Sequence, residues 1–68
     1  MYKGVIKWFD SKKGFGFIRE SGTGTDFYVH FSVILTNGRM ILSEGQQVNF
    51  ETRETSSGIE AVNVRILS

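Results

Sequence analysis

The chain alternates between hydrophobic and polar positions with a period of two over most of its length. This alternation is typical of β-strands that bury one face and expose the other. Glycines interrupt the pattern, and the Asn37-Gly38 dipeptide indicates a tight turn. The pattern predicts strands at roughly 3–9, 14–20, 26–31, 46–54 and 60–67. A helical period is absent, apart from room for one short turn at residues 32–35.

Five short strands separated by glycine turns predict an all-β domain, either a sandwich or a small antiparallel barrel. The 68 residues suffice for one domain, spanning residues 1–68. A domain this small buries only about 60% of the surface of its unfolded chain, so its core is thin. A closed barrel leaves no long unpaired edge, which favours it over an open sheet.

The second predicted strand contains a conflict between hydrophobicity and burial. In the segment GFGFI at residues 14–18, Phe15 and Phe17 share one face while Ile18 shares the other with the glycines. If Ile18 supplies the core, both phenylalanine rings point to water. The alternative, with both rings in the core and Ile18 outside, would lose register with the later strands.

The third predicted strand repeats this arrangement. If Phe27 and Val29 face the core, Tyr28 and His30 face outward, and Trp8 lies close by at the end of the first strand. A patch of exposed aromatic side chains usually marks a binding surface. Nucleic-acid bases stack on such rings with about 1–3 kcal/mol each, whatever their sequence.

Charge changes this picture only locally, because eight basic and seven acidic residues give a net charge of +1. Stacking, rather than attraction to phosphates, is therefore the expected main source of affinity. Lys7 and Lys13 flank the aromatic run and can reach phosphates at its rim. Asp26 or Asp10 can accept hydrogen bonds from base edges.

Composition excludes several other classes of function. The absence of cysteine rules out disulfides and thiolate metal sites, and His30 is the only histidine. The carboxylates show no paired spacing for acid–base or two-metal chemistry, so we expect no catalytic residues, no metal and no cofactor. No apolar run is long enough to span a membrane, and no signal-peptide pattern is present. We expect a cytoplasmic monomer without a small-molecule substrate.

The segment KWFDSKKGFGFI at residues 7–18 resembles the first half of the bacterial cold-shock proteins, including their RNP1-type motif, KGFGFI at residues 13–18. FYVHFS at residues 27–32 is similar to their RNP2-type motif. LSEGQQVNF at residues 42–50 and AVNV at residues 61–64 resemble later strands of that family. The resemblance implies a five-stranded antiparallel OB-fold barrel that binds single-stranded RNA and DNA. Carried over by position, it implies a ligand surface of Lys7, Trp8, Lys13, Phe15, Phe17, Asp26, Tyr28, His30 and Phe31, with Phe9 at its edge.

The chain departs from the family pattern at several positions. Arg39 replaces the usual loop aromatic, although its guanidinium can still stack on a base or contact a phosphate. Tyr28 replaces Phe, Asp10 replaces the common Asn, and Ile59 replaces Pro. The loop at residues 21–26 is about one residue longer than usual. These changes affect the expected affinity and base preference rather than the binding mode.

Other interpretations stay open at this point. Trp8, Phe9 and Phe31 could serve packing, and Lys13 could be an ordinary solvated charge. The whole domain could be an SH3-like barrel that binds proline-rich peptides, in which case loops would form most of the aromatic groove. A small hydrolase or nuclease is disfavoured by the lack of paired acids. The leading hypothesis is a nucleic-acid chaperone without enzymatic activity, with effects on transcription antitermination or translation.

Overall fold

The computed structural model describes residues 1–35 and 42–67, and within these ranges it is built from β-strands. A short 3₁₀ turn, Phe31–Val33, occupies part of the predicted helical turn at residues 32–35. The five predicted strands agree with the observed long strands to within two residues at each end. The strands are β1 (Tyr2–Asp10), β2 (Phe15–Glu20), β3 (Asp26–His30), β4 (Ile34–Leu35), β5 (Gln47–Thr55) and β6 (Gly58–Ile66).

The strands form one closed sheet in the order β3-β2-β1-β5-β6-β4, with an additional pairing of β3 to β6. The all-β barrel expected from the sequence is confirmed, but the expectation of a purely antiparallel sheet is wrong. β3 pairs with β6 in parallel, as Tyr28 opposite Glu60, and β4 also pairs with β6 in parallel. A ring of five strands cannot alternate direction throughout, so an otherwise antiparallel barrel must close with one parallel pair.

The core consists of the inward side chains of these strands. Ile18 is fully buried on β2, as is Val29 on β3, so the inner face runs through the even positions of β2 and the odd positions of β3. Phe27 packs against the same core from its edge. The buried hydrophobic set among the described residues is Ile6, Ile18, Val29, Leu42, Val48, Phe50, Ala61 and Val64.

A β-bulge in β1 decides which way Trp8 points. Ile6 lies opposite Ile18, but Trp8 lies opposite Phe17, so Lys7 is an extra residue in β1. Without the bulge, Trp8 would share the inner face with Ile6, two positions earlier. The bulge reverses the alternation and turns Trp8 outward.

Gly16 on β2 permits the close approach of β1 next to this bulge. A Cβ at this position would overlap the carbonyl oxygen of Trp8 and lie 2.7 Å from the Cα of Phe9. Both are backbone atoms that cannot move aside, so only glycine fits here. Glycine at this position therefore allows β1 and β2 to approach each other closely beneath the aromatic residues.

A second irregularity shapes β6. The register passes from Asn49 opposite Arg65 to Glu51 opposite Val62, which leaves one extra residue on β6. Asn63 lies in this irregular segment with φ at 50°, a left-handed conformation that asparagine tolerates better than most residues. Its Nδ2 donates to Oε1 of Glu51 at 2.8 Å, which ties β6 to β5 at the bulge.

Candidate nucleic-acid interface

Four aromatic rings meet on the outer face of β1, β2 and β3. Phe17 lies opposite Tyr28 across β2 and β3, and opposite Trp8 across β1 and β2. The ring centroids of Trp8 lie 5.5 Å from Phe15 and 6.2 Å from Phe17. Those of Tyr28 lie 5.9 Å from Phe15 and 6.2 Å from Phe17. We call Trp8, Phe15, Phe17 and Tyr28 the ring array; each of its rings contacts two others.

The ring array faces solvent rather than the core. Trp8 is 45% exposed, and Phe17 and Tyr28 are each 37% exposed, while Phe15 is half-buried between its neighbours. The alternative that placed both phenylalanines in the core with Ile18 outside is wrong, because Ile18 is fully buried. Mutual packing holds the rings in place, so the surface is organised before any ligand arrives.

His30 and Phe31 extend the array beyond Phe15. His30 lies opposite Phe15 in the β2–β3 register, and its ring centroid is 4.5 Å from that of Phe31. Its Nδ1 accepts the backbone N–H of Ser32 at 3.2 Å and lies 2.9 Å from the Ser32 hydroxyl. In the neutral ring this arrangement places the proton on Nε2. The orientation of the imidazole is thus fixed by Ser32, in the 3₁₀ turn that follows β3.

Phe9 and Lys13 lie beside this extension. Phe9 is half-buried and packs against the core, which agrees with a partly structural role. With Phe31 and Lys13, it lines a shallow depression next to the β1–β2 turn. Asp10 Oδ1 accepts the backbone N–H groups of Lys12 and Lys13 at 2.9 and 3.1 Å. This carboxylate therefore stabilises the turn, and only its second oxygen is left for the base contact suggested by the sequence.

A cluster of three charges lies at the other end of the ring array. Asp26 Oδ2 accepts from Lys7 Nζ at 2.7 Å, and its Oδ1 accepts from Arg19 Nε at 3.1 Å. The hydrogen bonds from Lys7 and then Arg19 hold the pKa of Asp26 below its ordinary value. The carboxylate is thus committed to two cations, and a base edge would have to compete with them.

Sequence reasoning did not identify Arg19, although the signal was available. It follows the motif at residues 7–18 by one position and continues the outward alternation of Phe15 and Phe17. Its pairing with Asp26 across β2 and β3 continues the same series of cross-strand pairs. Arg39, also expected at the site, lies outside the described residues.

Other chemistry finds little support in the described part of the chain. Residues 1–35 and 42–67 contain no group of three or more His, Cys, Asp or Glu side chains placed to hold a metal ion. No helix within these ranges has the length and hydrophobicity needed to cross a bilayer. The members of the ring array lie on strands rather than in loops, unlike the groove expected of an SH3-like peptide-binding domain.

The sequence is similar to one family of known proteins. The family model described as "'Cold-shock' DNA-binding domain" matches residues 2–67. The "Major cold shock protein" of Streptococcus pyogenes serotype M1 is 47% identical over 68 residues, covering all of both chains. "Cold shock protein CspC" of Bacillus subtilis (strain 168) is 46% identical over 65 residues, which are 96% of this chain and 97% of that protein.

A solved structure agrees at the level of the fold. The chain titled "drosophila Unr CSD456" superposes with a TM-score of 0.80 at 24% sequence identity, covering 98% of this chain and 26% of that one. The family match, the curated relatives and the barrel with its outward aromatic face all lead to the same assignment. This chain belongs to the cold-shock domain family and is a nucleic-acid-binding protein, not an enzyme.

Proposed function

We propose that the chain binds single-stranded RNA and DNA by stacking unpaired bases on the ring array. The observation that carries this proposal is the assembly of four rings in mutual contact on one outer face, three of them more than a third exposed. Bases in a duplex are already stacked on each other, so only a single strand can offer its π faces to these rings. His30, Phe31 and Phe9 lengthen the platform at one end.

Charged groups at the rim position the backbone of the strand. Lys13 is exposed beside the depression that Phe9 and Phe31 line, and Lys7 lies at the opposite end. With a net charge of only +1, the chain gains affinity mainly from stacking. Asp26 sets base preference by accepting a hydrogen bond from a base edge at Oδ2, in place of the hydrogen bond from Lys7. Arg39, which lies outside the described residues, is expected to act as a further stacking or phosphate-binding group.

The resulting activity is that of a passive nucleic-acid chaperone. Binding to unpaired bases disfavours weak secondary structure by mass action and needs no energy source. Effects on translation or transcription antitermination would follow from keeping RNA unpaired. The proposal takes residues 1–68 as one domain that acts as a cytoplasmic monomer without a cofactor or small-molecule substrate.

A comparison of the affinities for single-stranded and double-stranded nucleic acid tests the proposal. Fluorescence anisotropy would compare a labelled single-stranded oligonucleotide with a duplex of the same length and sequence. We expect the single strand to bind at least ten times more tightly, and a weak RNA hairpin to melt at lower temperature as protein is added without ATP. Equal affinity for the duplex would contradict stacking as the mode of binding.

A further inference from the structure

The outward cross-strand pairs of β2 and β3 continue beyond the aromatic residues to the pair of Arg19 and Asp26. Along β2, the outward positions are Phe15, Phe17 and Arg19, each about 6.6 Å from the next. A single-stranded nucleic acid that follows the rings past Phe17 would therefore meet the guanidinium of Arg19 next. Its side chain is 48% exposed, so this end of the surface is open to a ligand.

The Arg19 guanidinium is held at one nitrogen and open at the others. Its Nε donates to Oδ1 of Asp26, while Lys7 Nζ donates to the second oxygen of the same carboxylate. A guanidinium carries five N–H groups. The four on the terminal nitrogens of Arg19 have no hydrogen-bond partner among the described residues.

The cluster also has the charge that a nucleic-acid backbone requires. Two cations surround one carboxylate, which leaves a single positive charge at this end of the array. The planar fork of a guanidinium matches two phosphate oxygens at once. Because Asp26 already orders the side chain, less conformational entropy is lost on binding.

We propose that Arg19 binds the backbone phosphate of the nucleotide beyond the base stacked on Phe17, and that Asp26 holds the guanidinium in place. This inference rests on the proposed single-strand binding and adds a contact to it. It predicts that the bound strand passes Phe17 in the direction of the charged cluster.

The test measures oligo-dT binding to the wild type and to Arg19→Gln through quenching of Trp8 fluorescence at several salt concentrations. We expect affinity to fall by about threefold to tenfold, which lies within the range of net hydrogen-bond contributions in proteins. The slope of log affinity against log salt should decrease in magnitude by about 0.7, the value for one phosphate contact on a single strand. The maximal quenching should stay the same, because the rings are untouched.

Arg65→Gln is the matched control. Arg65 is exposed on β6, where it lies opposite Asn49 of β5 and Leu35 of β4 and has no register partner on the three strands that carry the ring array. Arg65→Gln lowers the net charge by the same amount as Arg19→Gln, but away from the proposed contact. Its affinity and salt slope should therefore stay close to those of the wild type. Equal behaviour of the two variants would overturn the proposal. Absence of Trp8 quenching in the wild type would instead refute base stacking on the ring array, on which this proposal rests.

Two further variants separate direct contact from an effect on Asp26. Arg19→Lys should retain the salt slope but lose part of the affinity, because it keeps the charge without the planar fork. Arg19→Gln should also weaken binding in an Asp26→Asn background if Arg19 contacts phosphate. If the substitution has no effect in that background, Arg19 merely neutralises Asp26, and the proposed contact is wrong.

Discussion

Replacing Phe17 with alanine separates binding from folding more cleanly than the same change at Phe15. Phe17 lies at the centre of the outward face, opposite both Trp8 and Tyr28. It is 37% exposed, whereas Phe15 is half-buried between its neighbours and contributes more to packing. Phe17→Ala therefore removes a stacking platform while leaving the inner layer of the barrel intact.

The magnitude follows from what the ring contacts. Phe17 packs against two rings with centroids 6.2 Å away, and its removal should cost about 1–2 kcal/mol of unfolding free energy. A fully buried phenylalanine would cost about 3–5 kcal/mol. A domain of this length has about 3–10 kcal/mol of total stability, so the variant stays folded. Loss of one stacked base should weaken binding by about 1–3 kcal/mol, or about 5- to 150-fold.

Ile18→Val provides the matched control on the same strand. Ile18 is fully buried on the opposite face of β2, and this substitution should cost about 0.5–1.5 kcal/mol of stability. Urea denaturation would measure both stabilities, and anisotropy of a labelled oligo-dT would measure both affinities. Phe17→Ala should lose binding, whereas Ile18→Val should lose a similar amount of stability and bind like the wild type.

Two results would refute this reasoning. A stability loss of the size typical of a buried phenylalanine would show that Phe17 belongs to the core. Equal loss of affinity in both variants would show that binding follows stability, with no specific contribution from the ring.

Three other predictions concern the framework of the site. Gly16→Ala should destabilise the domain by about 1–3 kcal/mol in urea denaturation, because its Cβ would overlap the Trp8 carbonyl, whereas Gly22→Ala, whose Cβ would make an ordinary contact with Glu20 Oε2 at 4.0 Å, should have little effect. Asn63→Ala should cost about 1–2 kcal/mol at its positive φ, and a smaller loss for Asn63→Gly would identify backbone strain as the cause. The pKa of Asp26 is lowered by folding, so its ion pairs add stability above its unfolded pKa and lose it as pH falls through the folded value. The stability difference between wild type and Asp26→Asn should therefore be constant above about pH 5 and shrink below about pH 4, and a constant difference down to pH 2 would contradict the ion pairs.

Much of the fold was predictable because strands with one buried face alternate between hydrophobic and polar residues in the sequence. Ile18 and Val29 are inward and fully buried, and Phe17 and Tyr28 are outward, as the alternation predicted. The parallel pairing of β3 with β6, which closes the barrel, was not predictable from this alternation. Alternation reports which face a side chain occupies, whereas closure depends on how strands distant in sequence meet.

The residues of the candidate site could be predicted from the sequence, but only part of its geometry could. Strict alternation would have placed Trp8 beside the buried Ile6, and only the bulge at Lys7 turns it outward. A bulge depends on the pairing of two strands and leaves no clear mark in either one alone. The commitment of Asp26 to Lys7 and Arg19 was missed for the same reason, because both contacts cross between strands.

Trp8 fluorescence, titrated with oligo-dT and oligo-U at several salt concentrations, tests the central claim most directly. Trp8 lies within the ring array and is 45% exposed, so a base that stacks there contacts the indole. We predict strong, saturable quenching by both oligonucleotides. The salt slope for oligo-dT should be about −1.4 to −2.1, which corresponds to two or three phosphate contacts on a single strand. Binding without quenching, or a slope several times steeper, would show that phosphates rather than rings hold the strand and would contradict the account.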